Sequence, residues 1–174
     1  MDKERWKIIP EFPNYSVSTF GRIRAEKSER ILKLKENNSG LVFVGLFRGG
    51  IQYQRSVPRL VARAFPRQEN PLFDTPINLD GNRSQNGLHN LSWRPRWFAL
   101  KYHKQFEIDF PQRIYDPIEN VNTGEISENS LECAKRYGVL ESDVFRSVFN
   151  YEHKKIDFMK FPVWPINQEF RAVY

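Results

Sequence analysis

Between Asn78 and His103 the chain gathers residue types that can do chemistry: the carboxylate of Asp80, the amides of Asn78, Asn82 and Asn86, and the imidazoles of His89 and His103. Oxygen and nitrogen donors brought together could hold a divalent cation, and a basic group beside it could take a proton from a bound water. An imidazole can act as that base near neutral pH. An asparagine amide cannot, so Asn78 can hold a water without deprotonating it. A structural reading stands beside the chemical one. Asp80-Gly81-Asn82 has the composition of a tight turn, with glycine free to take positive φ. Asp80 then serves as turn acceptor and Asn82 and Asn86 as turn and cap hydrogen-bonders, with His89 and His103 as exposed surface. Leu88, Leu91 and Trp93 would pack a small core under the turn. No pair of histidines here has metal-ligand spacing, but a metal site assembled from Asp80, Asn82, His89 and His103 stays open as an alternative.

The run Asn78-Leu79-Asp80-Gly81-Asn82-Arg83, continuing through Asn86 and Leu88-His89-Asn90-Leu91-Ser92-Trp93, resembles the active-site hairpin of phage-type HNH homing endonucleases. Their pattern is His-x-Asp-Gly-Asn-(Lys/Arg)-x-x-Asn, then Leu-x-Asn-Leu-x-Trp, then an Asn. The resemblance implies a strand, a tight turn and a helix around one divalent metal. In that arrangement the histidine on the first strand is the general base, and the residue before it and the final Asn hold the metal. In this chain the base position falls on Asn78 and the metal positions on Ile77 and Ala99. Neither hydrocarbon side chain offers an oxygen to a hard cation. The expectation is therefore a degenerate catalytic site, with Asp80 and Asn82 as remnants and no metal or other cofactor.

Charge location says more than the net +6. Residues 1–67 hold 14 Lys+Arg against 6 Asp+Glu, residues 68–113 hold 6 against 5, and residues 114–174 hold 7 against 10. A basic N-terminal block of this kind favours a polyanion, with nucleic acid first. The single cysteine, Cys133, excludes an internal disulfide and a thiolate zinc cluster, and reads as a half-buried helix residue. A charged start and the lack of any long apolar run predict a soluble, intracellular protein with no membrane partner.

Alternation of apolar and polar residues around Gly21 marks a strand pair over Trp6–Pro10 and Tyr15–Arg24, and the strand signal repeats at Leu32 and Leu34, over Leu41–Phe47 and over Gln52–Val57. A short helix is expected over Arg59–Phe65, with Leu60, Ala64 and Phe65 inward. This string resembles the nuclease-associated module that precedes HNH motifs in the same endonucleases, over nearly all of residues 6–65, with Pro58 where the pattern has a histidine. Arg22 and Arg24 are the expected DNA-facing pair, with Arg48 and Arg55 behind them. Lys27, Arg30, Lys33 and Lys35 lie in or beside the strands, and Arg83 sits in the hairpin turn. Arg94, Arg96, Lys101 and Lys104, interleaved with Trp97 and Phe98, form a second expected basic patch.

Gln105–Arg113 reads as a linker. Beyond it, a hairpin leads into a helix stopped by Gly138 and a second helix from Ser142 to about Phe149, a spacing that resembles the closing helix-turn-helix module of these enzymes. Its second helix would present Ser142 and Arg146 to base edges, helped by Lys154 and Lys155. The module is net negative, with Glu141 and Asp143 on the same turns, so a protein partner for this face stays open. The tail to Tyr174 is either packed or an extended arm.

The expected fold class is α+β: a small antiparallel sheet plus an HNH-like ββα unit over 1–104, a linker over 105–113, and a helix-turn-helix module with its tail over 114–174. The expected function is binding of double-stranded DNA by a monomer, without cleavage, for site recognition or recruitment in the cytoplasm of a phage-infected bacterial host. Two rivals remain. One is an active nicking endonuclease dependent on magnesium or manganese, and the other a protein-interaction subunit of a phage polymerase or nuclease assembly.

Overall fold

Strands β1 (Trp6–Ile9), β2 (Phe12–Ser18) and β3 (Ile23–Ala25) pair antiparallel in that order, with Val17 and Ile23, directly opposite each other, buried in the same core as Phe12. The computed structural model describes residues 3–66, 70–153 and 162–174. A second sheet orders β4 (Lys35–Glu36), β5 (Val42–Arg48) and β6 (Ile51–Ser56). Along β5 the residues Val42, Val44 and Leu46 are buried at a period of two, as one covered face of a sheet requires.

Helix α1 (Val57–Ala64) begins before the expected Arg59. Pro58 fits in its first turn, where a missing N–H breaks no helical bond. Val57, Leu60 and Val61 are buried, and Phe65, just past the helix, is buried with them, whereas Ala64 is only half-buried. The helix touches β1, β2, β5 and β6, and also β7 (Thr75–Asn78) and β8 (Leu91–Arg94). One short amphipathic element thus joins both sheets to the β7–β8 hairpin in a single core.

The hairpin is also held through Gly21. Leu88 N–H donates to the Thr19 carbonyl at 2.7 Å, and a Cβ on Gly21 would lie 2.8 Å from the Asn86 carbonyl oxygen. Gly21 sits at φ +81°, so this close approach needs glycine on both grounds.

The chain divides into two units, Met1–Ala99 and Leu100–Tyr174, with the boundary inside helix α2 (Arg96–Lys104). The second unit has β9 (Ile118–Asn120), β10 (Ile126–Ser127), α3 (Ser130–Tyr137), α4 (Glu141–His153) and β11 (Phe170–Ala172). Its sheet runs β10-β9-β11, and its core includes Ile118, Cys133, Val144 and Phe170. The C-terminal tail is therefore packed: β11 pairs with β9, and Phe170 N–H donates to Ser147 Oγ at 3.0 Å.

The expected linker, residues 105–113, is bonded into this unit. Gln105 Oε1 accepts from Glu141 N–H at 2.8 Å, and Arg113 pairs with Glu141. Asn129 caps α3 through Glu132 N–H, and Gly138 closes it in the left-handed conformation. Helix α4 starts at Glu141 rather than Ser142 and runs beyond Phe149 to His153.

Candidate functional site

The β7–β8 hairpin places the residues that chemistry would need, and it uses almost every one of them to brace its own turn. Asn78, at the end of β7, is 2% exposed. Its Nδ2 donates to the Gln85 carbonyl at 2.9 Å and to Asn86 Oδ1 at 3.3 Å. Its backbone carbonyl accepts from Gly81 N–H at 2.9 Å. Asp80 Oδ1 accepts from Asn82 N–H at 2.9 Å and from Asn90 Nδ2 at 2.8 Å. Asn90 also donates to the Gln85 carbonyl, and Asn82 Oδ1 accepts from the backbone and hydroxyl of Ser84. The result is a turn laced by side-chain amides, as buried and half-buried polar groups require.

The positions that the HNH resemblance assigns to metal do not fit one. Ile77 is fully buried and Ala99 nearly so, and neither has an oxygen to offer. Among the described residues no group of three His, Cys, Asp or Glu side chains could hold a metal ion. His89 is exposed, with its ring lying over Gly87. His103, expected at the surface, is buried, and its ring meets Tyr102 edge-on. It lies in the second unit, whereas Asp80 and Asn82 lie in the first.

The basic residues divide into held and open ones. The Arg22 guanidinium donates twice to Glu4 and lies 5.6 Å from the Trp6 ring centroid. Arg24 lies 4.7 Å over the same ring and donates to Glu26. The hydrogen bond from Arg22 holds the Glu4 carboxyl below its usual range, and that from Ser16, followed by that from Arg24, does the same for Glu26. The expected DNA-facing pair is thus oriented by an aromatic plate, but each charge is matched by a carboxylate.

Arg48 and Arg55 both lie over Phe12 and Tyr53, and Arg55 and Arg63 share Glu11. Arg83 donates to the Ser39 carbonyl. Lys27, Lys33 and Lys35 are exposed.

The second patch is smaller than expected. Arg94 is 5% exposed, with Nη1 donating to Ser92 Oγ and to the Trp93 carbonyl, both at 2.7 Å. It braces the end of β8 and is not available on the surface. Arg96, Lys101 and Lys104 are exposed. Trp97 and Phe98 part company, Trp97 being 55% exposed and Phe98 1%. Sequence reasoning missed the buried arginine because an Arg-Pro-Arg string carries no mark of which cation turns inward.

In the second unit both carboxylates in the first turn of α4 are paired. Glu141 is 1% exposed and accepts twice from Arg113, at 2.8 and 3.1 Å, and from Ser130 Oγ at 2.7 Å. Asp143 is half-buried and pairs with Arg146 at 3.2 Å. Ser142 is half-buried and Arg146 exposed, so both expected readers lie at accessible positions of the first turns. Lys154 and Lys155 lie outside the described residues.

Comparison with known proteins fits this geometry. The NUMOD4 motif matches residues 4–47. An uncharacterized HNH endonuclease of Acanthamoeba polyphaga mimivirus is 35% identical over 89 residues, 51% of this chain and 26% of that protein. The H-N-H endonuclease F-TflII of Escherichia phage T5 is 29% identical over 89 residues, 51% of this chain and 45% of that one. The chain thus matches less than half the length of these relatives. Among solved structures, the HNH homing endonuclease I-HmuI, described for DNA binding and cleavage, aligns over 97% of this chain and 98% of its own with a TM-score of 0.52 and 21% identity. That likeness concerns the fold, an α+β arrangement of small antiparallel sheets and helices.

Proposed function

We propose that this chain, a protein of the HNH homing-endonuclease type, binds double-stranded DNA and does not cut it by the HNH route. The observation that carries the reading is Asn78. It stands where the resemblance asks for a general base, and its amide is buried and spent on the Gln85 and Asn86 acceptors. A group without a basic lone pair, facing the turn that it braces, cannot take a proton from water. Magnesium or manganese has no role in this reading, since the residues at the metal positions do not fit a cation.

DNA as the partner is supported by the basic excess of residues 1–67, 14 Lys+Arg against 6 Asp+Glu, and by the exposed cations Lys27, Lys33, Lys35 and Arg96. Burial of Glu141 against Arg113 supports a DNA-facing α4 over a protein-binding one. Two modules of modest affinity on one chain would bind together through effective concentration, as a monomer and without need of a palindrome. Among the described residues no helix is long and apolar enough to cross a membrane. A phage relative is consistent with action in an infected bacterial cell.

The test is incubation with supercoiled plasmid and linear duplexes, with and without magnesium or manganese, reading mobility shift and nicking in the same samples. A shift that weakens steeply with salt and leaves the plasmid closed is the expected result. Metal-dependent nicking abolished by a chelator would overturn the inactive reading. Absence of any shift would overturn DNA binding.

A further inference from the structure

The first unit carries an apolar groove of about 280 Å³ between β1 and α1. Consecutive residues of β1 and the turn after it, from Lys7 to Glu11, line one side. Successive side chains of a strand point to opposite faces, so a groove that meets all of them runs along the edge of the strand. β1 is the outer strand of its sheet and pairs with β2 alone among the described residues. The Arg5 carbonyl accepts from Thr19 N–H at 2.9 Å. Antiparallel alternation then turns the peptide groups of Lys7 toward β2, and the N–H and carbonyl of Ile8 toward the open edge. The Ile8 side chain is 56% exposed, and α1 brings Leu60 and Ala64 to the other side of the groove. An open strand edge facing an apolar helix flank is a template for one more extended segment.

The rim is strongly one-signed. Lys7, Arg55, Arg59 and Arg63 line the groove against a single carboxylate, Glu11. Glu11 is shared by Arg55 at 3.7 Å and Arg63 at 3.2 Å. Arg59 donates to the Asp74 carbonyl, and Lys7 Nζ lies 5.1 Å from the Phe65 ring centroid. Neither of these two cations is paired with a carboxylate among the described residues. A phosphate backbone would satisfy the cations, but it has no ladder of donors and acceptors to match the Ile8 edge. A peptide supplies main-chain groups for that edge, apolar side chains for the floor and, where it is acidic, carboxylates for the rim.

We propose that the β1–α1 groove binds an extended acidic peptide segment of a partner protein. The segment adds as a strand beside β1, rests apolar side chains on Ile8 and Leu60, and directs carboxylates to Lys7, Arg59 and Arg63. The surface belongs to the basic first unit, whereas the sequence pointed to the acidic second one for a protein partner. It goes beyond the DNA-binding reading and stands without it.

The experiment is selection on the full chain from a displayed library of random linear peptides, followed by fluorescence anisotropy with a selected peptide. The wild type is expected to enrich sequences in which Asp or Glu alternates with apolar residues. Arg59→Glu combined with Arg63→Glu should weaken that peptide by about tenfold or more. The same peptide with Lys in place of its acidic residues should prefer this variant over wild type. Ile8→Pro removes the N–H at the edge, a change that an outer strand tolerates, and should weaken binding too. Enrichment of peptides without acidic residues, or equal binding by wild type and the charge-reversed variant, would overturn the proposal. Release of the peptide in step with binding of a short duplex would give the groove to DNA and overturn it as well. A wild-type dimer that Arg59→Glu dissolves would give the groove to a second copy, with the same consequence. A wild type that shifts no duplex but binds the acidic peptide would overturn the DNA reading alone.

Discussion

Asn78 Nδ2 donates to the Gln85 carbonyl at 2.9 Å, bridging the two ends of the hairpin turn from a side chain that is 2% exposed. This bond makes Asn78 a brace, and it constrains any attempt to restore chemistry by one substitution. Asn78→His would have to seat a larger ring in a closed space, would remove the donor to Asn86 Oδ1, and would leave the Gln85 carbonyl with the Asn90 donor alone. Loss of about 1–3 kcal/mol in unfolding free energy is expected. No magnesium-dependent nicking should appear, because Ile77 and Ala99 still offer no ligand. Urea denaturation and a plasmid assay on the same preparation check both parts, and nicking by the single variant would refute the account of the metal positions.

Buried Glu141 pairs with half-buried Arg113 and also accepts from Ser130. Removing one partner strands the other where water reaches it poorly. Arg113→Ala, which leaves the Glu141 carboxylate buried without its cation, should therefore cost about 3 kcal/mol in the second unit. Thermal unfolding followed by a probe in residues 100–174 reads this. An unchanged melting temperature would mean that the pair is solvated and structurally idle.

The acid side of the stability profile follows from Glu4 and Glu26. Both carboxyls are held below the ordinary value of 4.5, Glu4 chiefly by the hydrogen bond from Arg22 and Glu26 chiefly by that from Ser16. Folding favours their ionised forms. Their contribution is present above the unfolded value and is lost as pH falls through the lower folded one. Melting temperature should fall below about pH 4.5, and less steeply in Glu26→Gln than in wild type. Parallel acid limbs in the two proteins would remove Glu26 from the explanation.

Cys133 is fully buried on α3, and burial pushes its thiol up to about 12. The thiolate is the reactive form, so a maleimide or disulfide reagent at neutral pH should label the native chain far more slowly than the denatured one. The labelling rate against urea concentration should track unfolding of the second unit. Fast labelling without denaturant would show that α3 opens locally.

The sequence by itself determined the hairpin motif, the strands of the first unit, the α3 stop at Gly138 and the basic N-terminal excess, because turn chemistry, alternation and charge are local properties. It also carried the substitution at Asn78, since a missing imidazole is visible without coordinates. Only the tertiary structure decided which charges are open. Arg94 and Glu141 are buried, while Arg22 and Arg24 are matched by carboxylates 18 and 2 residues away in the chain. It also decided that the tail returns as β11, because Phe170 finds its core only once β9 and α4 are assembled. Pairing and burial depend on which distant segments meet, and no local pattern in a single chain carries that information.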